Sequence, residues 1–119
     1  MLCGEDYGAA TLQKLSPHML NVYIQNHALA SEAGADGKYA YRTLGREVPY
    51  NDLMLWEPGG VDTASVFEGL RRIGWAGTFT IHQAQGIETK QDALEYATKC
   101  AEFVRAGEAA AVRSDNSRL

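Results

Sequence analysis

The 119-residue sequence has no excess of basic residues, few cysteines and no long apolar run. Lys and Arg number 11 against 15 Asp and Glu, a net charge of −4, so the basic stripe of a nucleic-acid-binding protein is lacking. Cys3 and Cys100 are too few for a disulfide framework or a zinc cluster, and we expect two reduced thiols. No segment reaches membrane-spanning length, and the first residues turn acidic where a signal peptide has a basic start. We therefore predict a cytoplasmic protein without a nucleic-acid or membrane partner.

The chain is also too short for a complete (β/α)₈ barrel, which takes roughly 250 residues. Hydrophobic residues make up 45% of the sequence and charged residues 22%, which is typical of a globular domain. The length accordingly predicts a single domain.

Two segments, 20–25 and 78–82, alternate between apolar and polar residues as half-buried strands do. The apolar positions are Leu20, Val22, Ile24, Phe79 and Ile81. The polar positions are Asn21, Tyr23, Gln25, Thr78, Thr80 and His82. Each strand is therefore predicted to have one face that packs against helices and one face of hydrogen-bonding side chains.

Between and around these strands the sequence predicts three helices. The first spans 4–15 and stops before Pro17. The second begins at an Asp62 cap, runs to about Ile73 and ends at Gly74. The third starts at the capping-box pair Thr89 and Asp92 and runs to about Ala106, with Gly107 as its end and a polar, flexible tail over 108–119.

Glycine and proline are frequent in residues 26–60, which predicts a long, ordered loop. Short extended pieces are expected at 39–43 and 48–56. The resulting order of strand, loop, helix, strand and helix is that of a right-handed βαβ unit with parallel strands. Two strands alone are few for an independent sheet, and their polar face is typical of the interior of an α/β barrel.

Residues 61–82, which include the run Gly74-Trp75-Ala76-Gly77-Thr78-Phe79-Thr80-Ile81-His82, resemble the last βα repeat of the xylose isomerase-like TIM-barrel superfamily. Residues 12–26 are similar to the preceding repeat, and Phe103-Val104-Arg105 is similar to the closing helix. The resemblance implies an α/β fold, a partial (β/α)₈ barrel comprising the last two or three βα units, with a long loop after the first clear strand. Residues 1–107 would form this C-terminal segment, with the earlier repeats in an intact parent.

The resemblance also implies a function. The intact parent would be a sugar or sugar-phosphate isomerase or epimerase of carbohydrate metabolism. A divalent metal (Mn, Mg, Co or Zn) would assist proton transfer at a carbon next to a carbonyl.

The candidate site residues follow the two strands. His82 ends the second strand, where imidazole can ligate a metal or transfer a proton near neutral pH, and His27 is a second candidate metal ligand. Glu57, in the long loop, is a candidate for proton transfer. The residues expected to bind the sugar are Tyr23, Gln25, Asn26 and Gln83.

Three positions depart from the pattern of the superfamily, because His82 replaces a Glu, Tyr23 a His and Asn26 an Asp. These departures leave a second hypothesis open, a non-catalytic barrel or fragment that binds a polyol or a partner chain and has lost the metal carboxylates. A complete α/β binding domain is a third. We expect the isolated chain to be inactive and to self-associate through open sheet edges.

Overall fold

The computed structural model describes residues 6–30, 39–43, 45–82 and 86–117, so that Gln83 lies outside the described residues. The elements in chain order are α1 (Ala9–Leu15), β1 (Asn21–Ile24), β2 (Asn26–Leu29), β3 (Tyr39–Thr43), β4 (Arg46–Leu53), α2 (Thr63–Arg72), β5 (Thr78–Ile81) and α3 (Lys90–Asn116). Within the described ranges the strands form two small sheets that do not close into a barrel.

The parallel βαβ unit is confirmed. β1 pairs with β5 in parallel, with Asn21 opposite Thr78 and Ile24 opposite Ile81, and α2 connects the two strands along the chain. Because the strands run in the same direction, their carboxyl ends lie side by side.

The predicted separation of the two strand faces is confirmed within β1 and β5, whereas it is wrong for Leu20, which precedes β1 and is 91% exposed. Ile24 is buried in a core with Leu55 and Cys100, and Phe79 and Ile81 pack against the same cluster. On the opposite face the Asn21 side chain donates a hydrogen bond to the Thr80 hydroxyl (3.0 Å). The alternation thus positions polar side chains on the face of the sheet away from the helices.

The long segment after β1 contains a second, antiparallel sheet in the order β2-β4-β3. The predicted extended pieces at 39–43 and 48–56 correspond to β3 and β4. The sequence predicts a loop at the position of β2, because four residues with an Asn and a His carry too little alternation to indicate a strand. Its backbone is extended because it pairs with β4, from Asn26 opposite Leu53 to Leu29 opposite Tyr50.

The helix boundaries predicted from local chemistry are confirmed at three places. The Asp62 carboxylate accepts a hydrogen bond from the Ser65 amide (3.1 Å) and caps α2. Gly74, just after α2, has a φ of +65°. At the start of α3, the Asp92 carboxylate accepts from the Thr89 amide (2.8 Å), and the Thr89 hydroxyl accepts from the Asp92 amide (3.1 Å).

The cap at Asp62 predicts a defined pH dependence of stability. Hydrogen bonds from Ser65 lower the pKa of Asp62, so its contribution is present above the unfolded-state pKa and is lost as pH falls through the folded-state pKa. Asp62→Ala should lower the free energy of unfolding by about 1 kcal/mol at pH 7, and urea denaturation should show this difference shrinking below about pH 4. Asp62→Asn is the control, since it keeps the accepting oxygen without the titration. If the difference in free energy of unfolding between the unaltered chain and Asp62→Ala did not change with pH, the assignment of the Asp62 carboxylate as the helix cap would be contradicted.

The predicted end of the last helix is wrong. α3 continues through Gly107 to Asn116, so residues 108–116 are helical rather than a flexible tail, and Ala111 is buried. A Cβ at Gly107 would lie 2.4 Å from the Phe67 ring. Glycine is therefore present because α2 and α3 approach closely there, and not because the helix stops. Within the described residues, no helix is long and apolar enough to cross a membrane.

The first helix is shorter than predicted. Among the described residues it spans Ala9–Leu15 and passes into a turn of 3-10 helix at Ser16–His18. Pro17 lies in that turn, which agrees with the predicted stop. Residues 1–5 of the predicted helix lie outside the described ranges.

Candidate functional site

Gln25 and His82 meet where β1 and β5 end. The His82 amide donates to the Ile24 carbonyl (3.3 Å), which extends the strand pairing by one residue and brings His82 beside Gln25. The Gln25 Nε2 group donates to His82 Nδ1 (2.9 Å) and to the His82 carbonyl oxygen (3.0 Å). Both side chains are exposed, and they lie close together because the two parallel strands end at the same edge.

A second pair, His27 and Asp52, lies on the antiparallel sheet. The register of β2 and β4 places the two residues opposite each other, and His27 Nδ1 is 2.7 Å from Asp52 Oδ1. Their side chains are only 13% and 21% exposed. The Tyr50 ring packs edge-on against the imidazole, with 4.7 Å between ring centroids. A carboxylate on one nitrogen and an aromatic ring on the side hold the orientation of His27.

Gln25 joins the two pairs. It is the single residue between β1 and β2, where the chain leaves one sheet for the other. Its Oε1 atom lies 3.3 Å from His27 Nε2, while its Nε2 atom contacts His82. Four side chains therefore form one contiguous polar row, in the order Asp52, His27, Gln25 and His82, in which Asp52 and His27 are in close contact and Gln25 is within hydrogen-bonding distance of both histidines.

Tyr23 borders this row on the polar face of the parallel sheet. Its side chain is 68% exposed, and its ring centroid is 6.2 Å from that of His82. Two imidazoles, an amide and a phenol supply hydrogen-bond donors and acceptors suited to hydroxyl and carbonyl groups. Imidazole is also a common general acid or base in catalysis.

Asn26 does not belong to this surface, although it was predicted to bind the substrate. The side chain is 1% exposed. Its amide donates to the carbonyls of Met54 and Glu57 (both 2.8 Å), and its oxygen accepts from the Val61 amide (2.9 Å). With both donors and the acceptor engaged by backbone in the core, Asn26 clamps the segment that follows β4.

The clamp also explains a glycine. A Cβ at Gly60 would lie 2.1 Å from the Asn26 side-chain oxygen and 2.7 Å from the His27 carbonyl oxygen. Gly60 therefore permits the close approach that the clamp requires.

Glu57 lies in the turn after β4. Its carboxylate accepts from the Met54 amide (2.6 Å) and its own amide donates to the Met54 carbonyl (3.0 Å). The structure thus places the predicted proton-transfer residue in a turn-closing role, with its carboxylate engaged by the Met54 amide.

The metal implied by the resemblance does not fit the observed donors. Within the described ranges, no group of three or more His, Cys, Asp or Glu side chains could hold an ion. Both ring nitrogens of His27 face other side chains, and His82 Nδ1 faces the Gln25 amide. Ligation by His82 and His27 stays a prediction that this arrangement does not support.

The cysteine within the described residues does not offer a nucleophile. Cys100 is buried in the core, and burial raises the pKa of its thiol. Burial beside that thiol also raises the pKa of Tyr96 to about 12. Both groups are therefore neutral at physiological pH, and catalytic thiols require the opposite shift.

Asp52 and Tyr50 are the site residues that the sequence did not indicate. Both lie in a stretch without a motif, and Asp52 is 25 positions from His27 in the chain. The only available signal was the extended character of residues 48–56. The register against β2, which a sequence does not show, brings Asp52 to His27.

Comparison with known proteins adds no assignment: no family model, no curated protein and no solved structure matches the chain.

Proposed function

We propose that the βαβ unit is part of the barrel of a sugar or sugar-phosphate isomerase or epimerase, and that the row from Asp52 to His82 is one side of its substrate site. The observation that carries this proposal is the hydrogen-bonded Gln25–His82 pair at the carboxyl ends of two neighbouring parallel strands. In α/β barrels the active site lies at that end of the strands.

The exposed polar face of the sheet supports the barrel part of the proposal. Helix α3 packs against one side of β1 and β5, and Phe67 of α2 stacks on Phe79 of β5 on that side, whereas Tyr23 is 68% exposed on the other. A barrel formed with further βα units would enclose this face and leave its strand ends open at the mouth. The same face and the open strand edges also account for the expected self-association.

The chemistry of the row supports the reaction class. Isomerisation of a sugar moves a hydrogen between two neighbouring carbon atoms and a proton between the oxygens attached to them, which needs groups that hold or transfer protons beside a hydrogen-bonded carbonyl. In this proposal His82 contacts the reacting carbonyl or hydroxyl, Gln25 and Tyr23 orient the neighbouring hydroxyl groups, and the His27–Asp52 pair borders the site on the side of Gln25.

The test is binding of defined sugars to the 119-residue chain, followed by NMR of its amide and histidine signals. The probes are D-xylose, D-ribulose 5-phosphate and inorganic phosphate. We expect millimolar binding of at least one sugar, with shifts at Tyr23, Gln25 and His82. His82→Ala should weaken that binding about tenfold, the equivalent of about 1.4 kcal/mol.

His18→Ala is the matched control, because His18 is an exposed histidine before β1. It should leave sugar binding unchanged. Shifts with phosphate alone would point to a phosphate site rather than a sugar site. No shift at the row with either sugar, or an equal loss in both histidine variants, would overturn the proposal. Binding to the full parent without turnover would favour the non-catalytic polyol-binding alternative.

A further inference from the structure

We propose that one flank of α3 is an interface with a second copy of the chain, in which the two α3 helices pack antiparallel about a two-fold axis. Six residues, which we call the α3 stripe, form this flank. They are Lys90, Leu94, Ala97, Ala101, Val104 and Glu108. The inference goes beyond the proposed function and does not depend on it.

The spacing of the α3 stripe is that of a helix–helix seam. Its members are separated alternately by four and three positions, so they lie on one side of a helix with 3.6 residues per turn. The side that α3 packs into its own core is a different one, with Cys100, Phe103 and Ala111. The two sides lie about a quarter turn apart around the helix, which leaves the stripe available to another helix.

The structure leaves an apolar groove beside the stripe. Leu94 is 55% exposed and Ala97 is also exposed. Between α3 and the half-buried Phe79 and Ile81 of β5 runs a groove of about 460 Å³. Among the described strands β5 pairs only with β1, so no described strand covers this side of the groove. An exposed apolar groove of this kind is typical of an interaction surface.

The order of side chains along the stripe makes it complementary to itself. In an antiparallel pair, Ala97 lies opposite Ala101 of the second copy, and Leu94 lies opposite Val104 of the second copy. The two alanines at the centre permit helix axes about 8 Å apart. Leu94 of each copy then fills the groove beside Val104 of the other. Such a self-complementary patch is what a two-fold symmetric interface requires.

The charges at the two ends of the stripe identify the occupant and its direction. The same register places Lys90 opposite Glu108 of the second copy, once at each end of the interface. Both side chains are exposed. A parallel pair would instead bring like charges together, lysine against lysine and glutamate against glutamate, which opposes association. This charge complementarity favours a second, antiparallel copy of the chain as the occupant.

The experiment is sedimentation analysis of the 119-residue chain over a range of concentrations, without sugar. We expect a reversible dimer with a dissociation constant on the order of 10 μM, as for a small interface. Ala97→Glu should weaken it at least about 100-fold, because two carboxylates would be buried near the axis. Circular dichroism checks that this variant keeps its helices.

Charge reversal tests the register of the two helices. Lys90→Glu and Glu108→Lys should each weaken the dimer about tenfold, because each places like charges together at both ends. The double variant should return to within about threefold of the unaltered chain, because the opposite charges are again paired. Glu102→Lys is the matched control, since Glu102 is exposed on α3 outside the stripe. It should leave the dissociation constant unchanged.

A chain that stays monomeric would leave the groove to a further βα unit and overturns the proposal. A dimer that Ala97→Glu leaves intact is held by another surface, such as the sheet edges, and also overturns it. A double charge variant no tighter than either single variant overturns the antiparallel register. Because the stripe contains none of the proposed sugar-site residues and no sugar is present, these results and those of the sugar-binding test can fail independently.

Discussion

Asn26→Asp should lower the free energy of unfolding by about 4 kcal/mol, although it replaces one atom. The Asn26 amide donates to two buried carbonyls, of Met54 and Glu57. Each buried acceptor that loses its donor costs about 1–3 kcal/mol, and an aspartate adds either a buried charge or the cost of protonating it. Urea denaturation followed by tryptophan fluorescence measures the change.

The matched control is Asn116→Asp, the same substitution at an exposed position near the end of α3. It should cost less than about 1 kcal/mol, since a carboxylate there meets only the helix dipole. Equal effects at the two positions would show that the clamp contributes no stability. Asn26→Asp should also change the NMR signals of His27, because Asn26 directly precedes His27 in β2.

Phe67→Ala should lower the free energy of unfolding by about 3–5 kcal/mol. Phe67 is 5% exposed and packs between Phe79 and Phe103, with ring centroids 5.8 Å and 6.2 Å away. Truncation removes the ring on which α2, α3 and the parallel sheet meet, and leaves a cavity. Thermal or urea unfolding provides the measurement.

Contact with the Phe67 ring also predicts that Gly107→Ala changes stability in opposite directions when the ring is present and when it is absent. In the unaltered chain Gly107→Ala should destabilise by about 1–3 kcal/mol, because its Cβ would lie 2.4 Å from the Phe67 ring. In the Phe67→Ala background it should stabilise by up to about 1 kcal/mol, the ordinary helix preference for alanine. Ala106→Gly, at the exposed neighbouring position, calibrates that preference. A stabilising Gly107→Ala in the unaltered chain would contradict the close packing of α2 and α3.

Part of the site could be predicted from the chain alone. Gln25 and His82 each follow an alternating apolar strand, and two parallel strands joined through one helix end at the same edge. The partnership of His27 with Asp52 could not be predicted, because it depends on the register of β2 against β4. The burial of Asn26 could not be predicted either, because a polar Asn side chain is typical of an exposed turn. Only the fold brings its three backbone partners into contact with it.

The features that could be predicted from the sequence are those formed by residues that lie close together in the chain. The faces of β1 and β5, the Asp62 cap and the Thr89–Asp92 capping box all involve residues at most a few positions apart, so their chemistry is visible in the sequence. Burial of Asn26, the Asp52–His27 pair and the continuation of α3 through Gly107 depend on groups 25 or more positions away. Such groups meet only when the sheets take their register and the helices pack, and those contacts, unlike the local hydrogen bonds, come from folding of the whole domain.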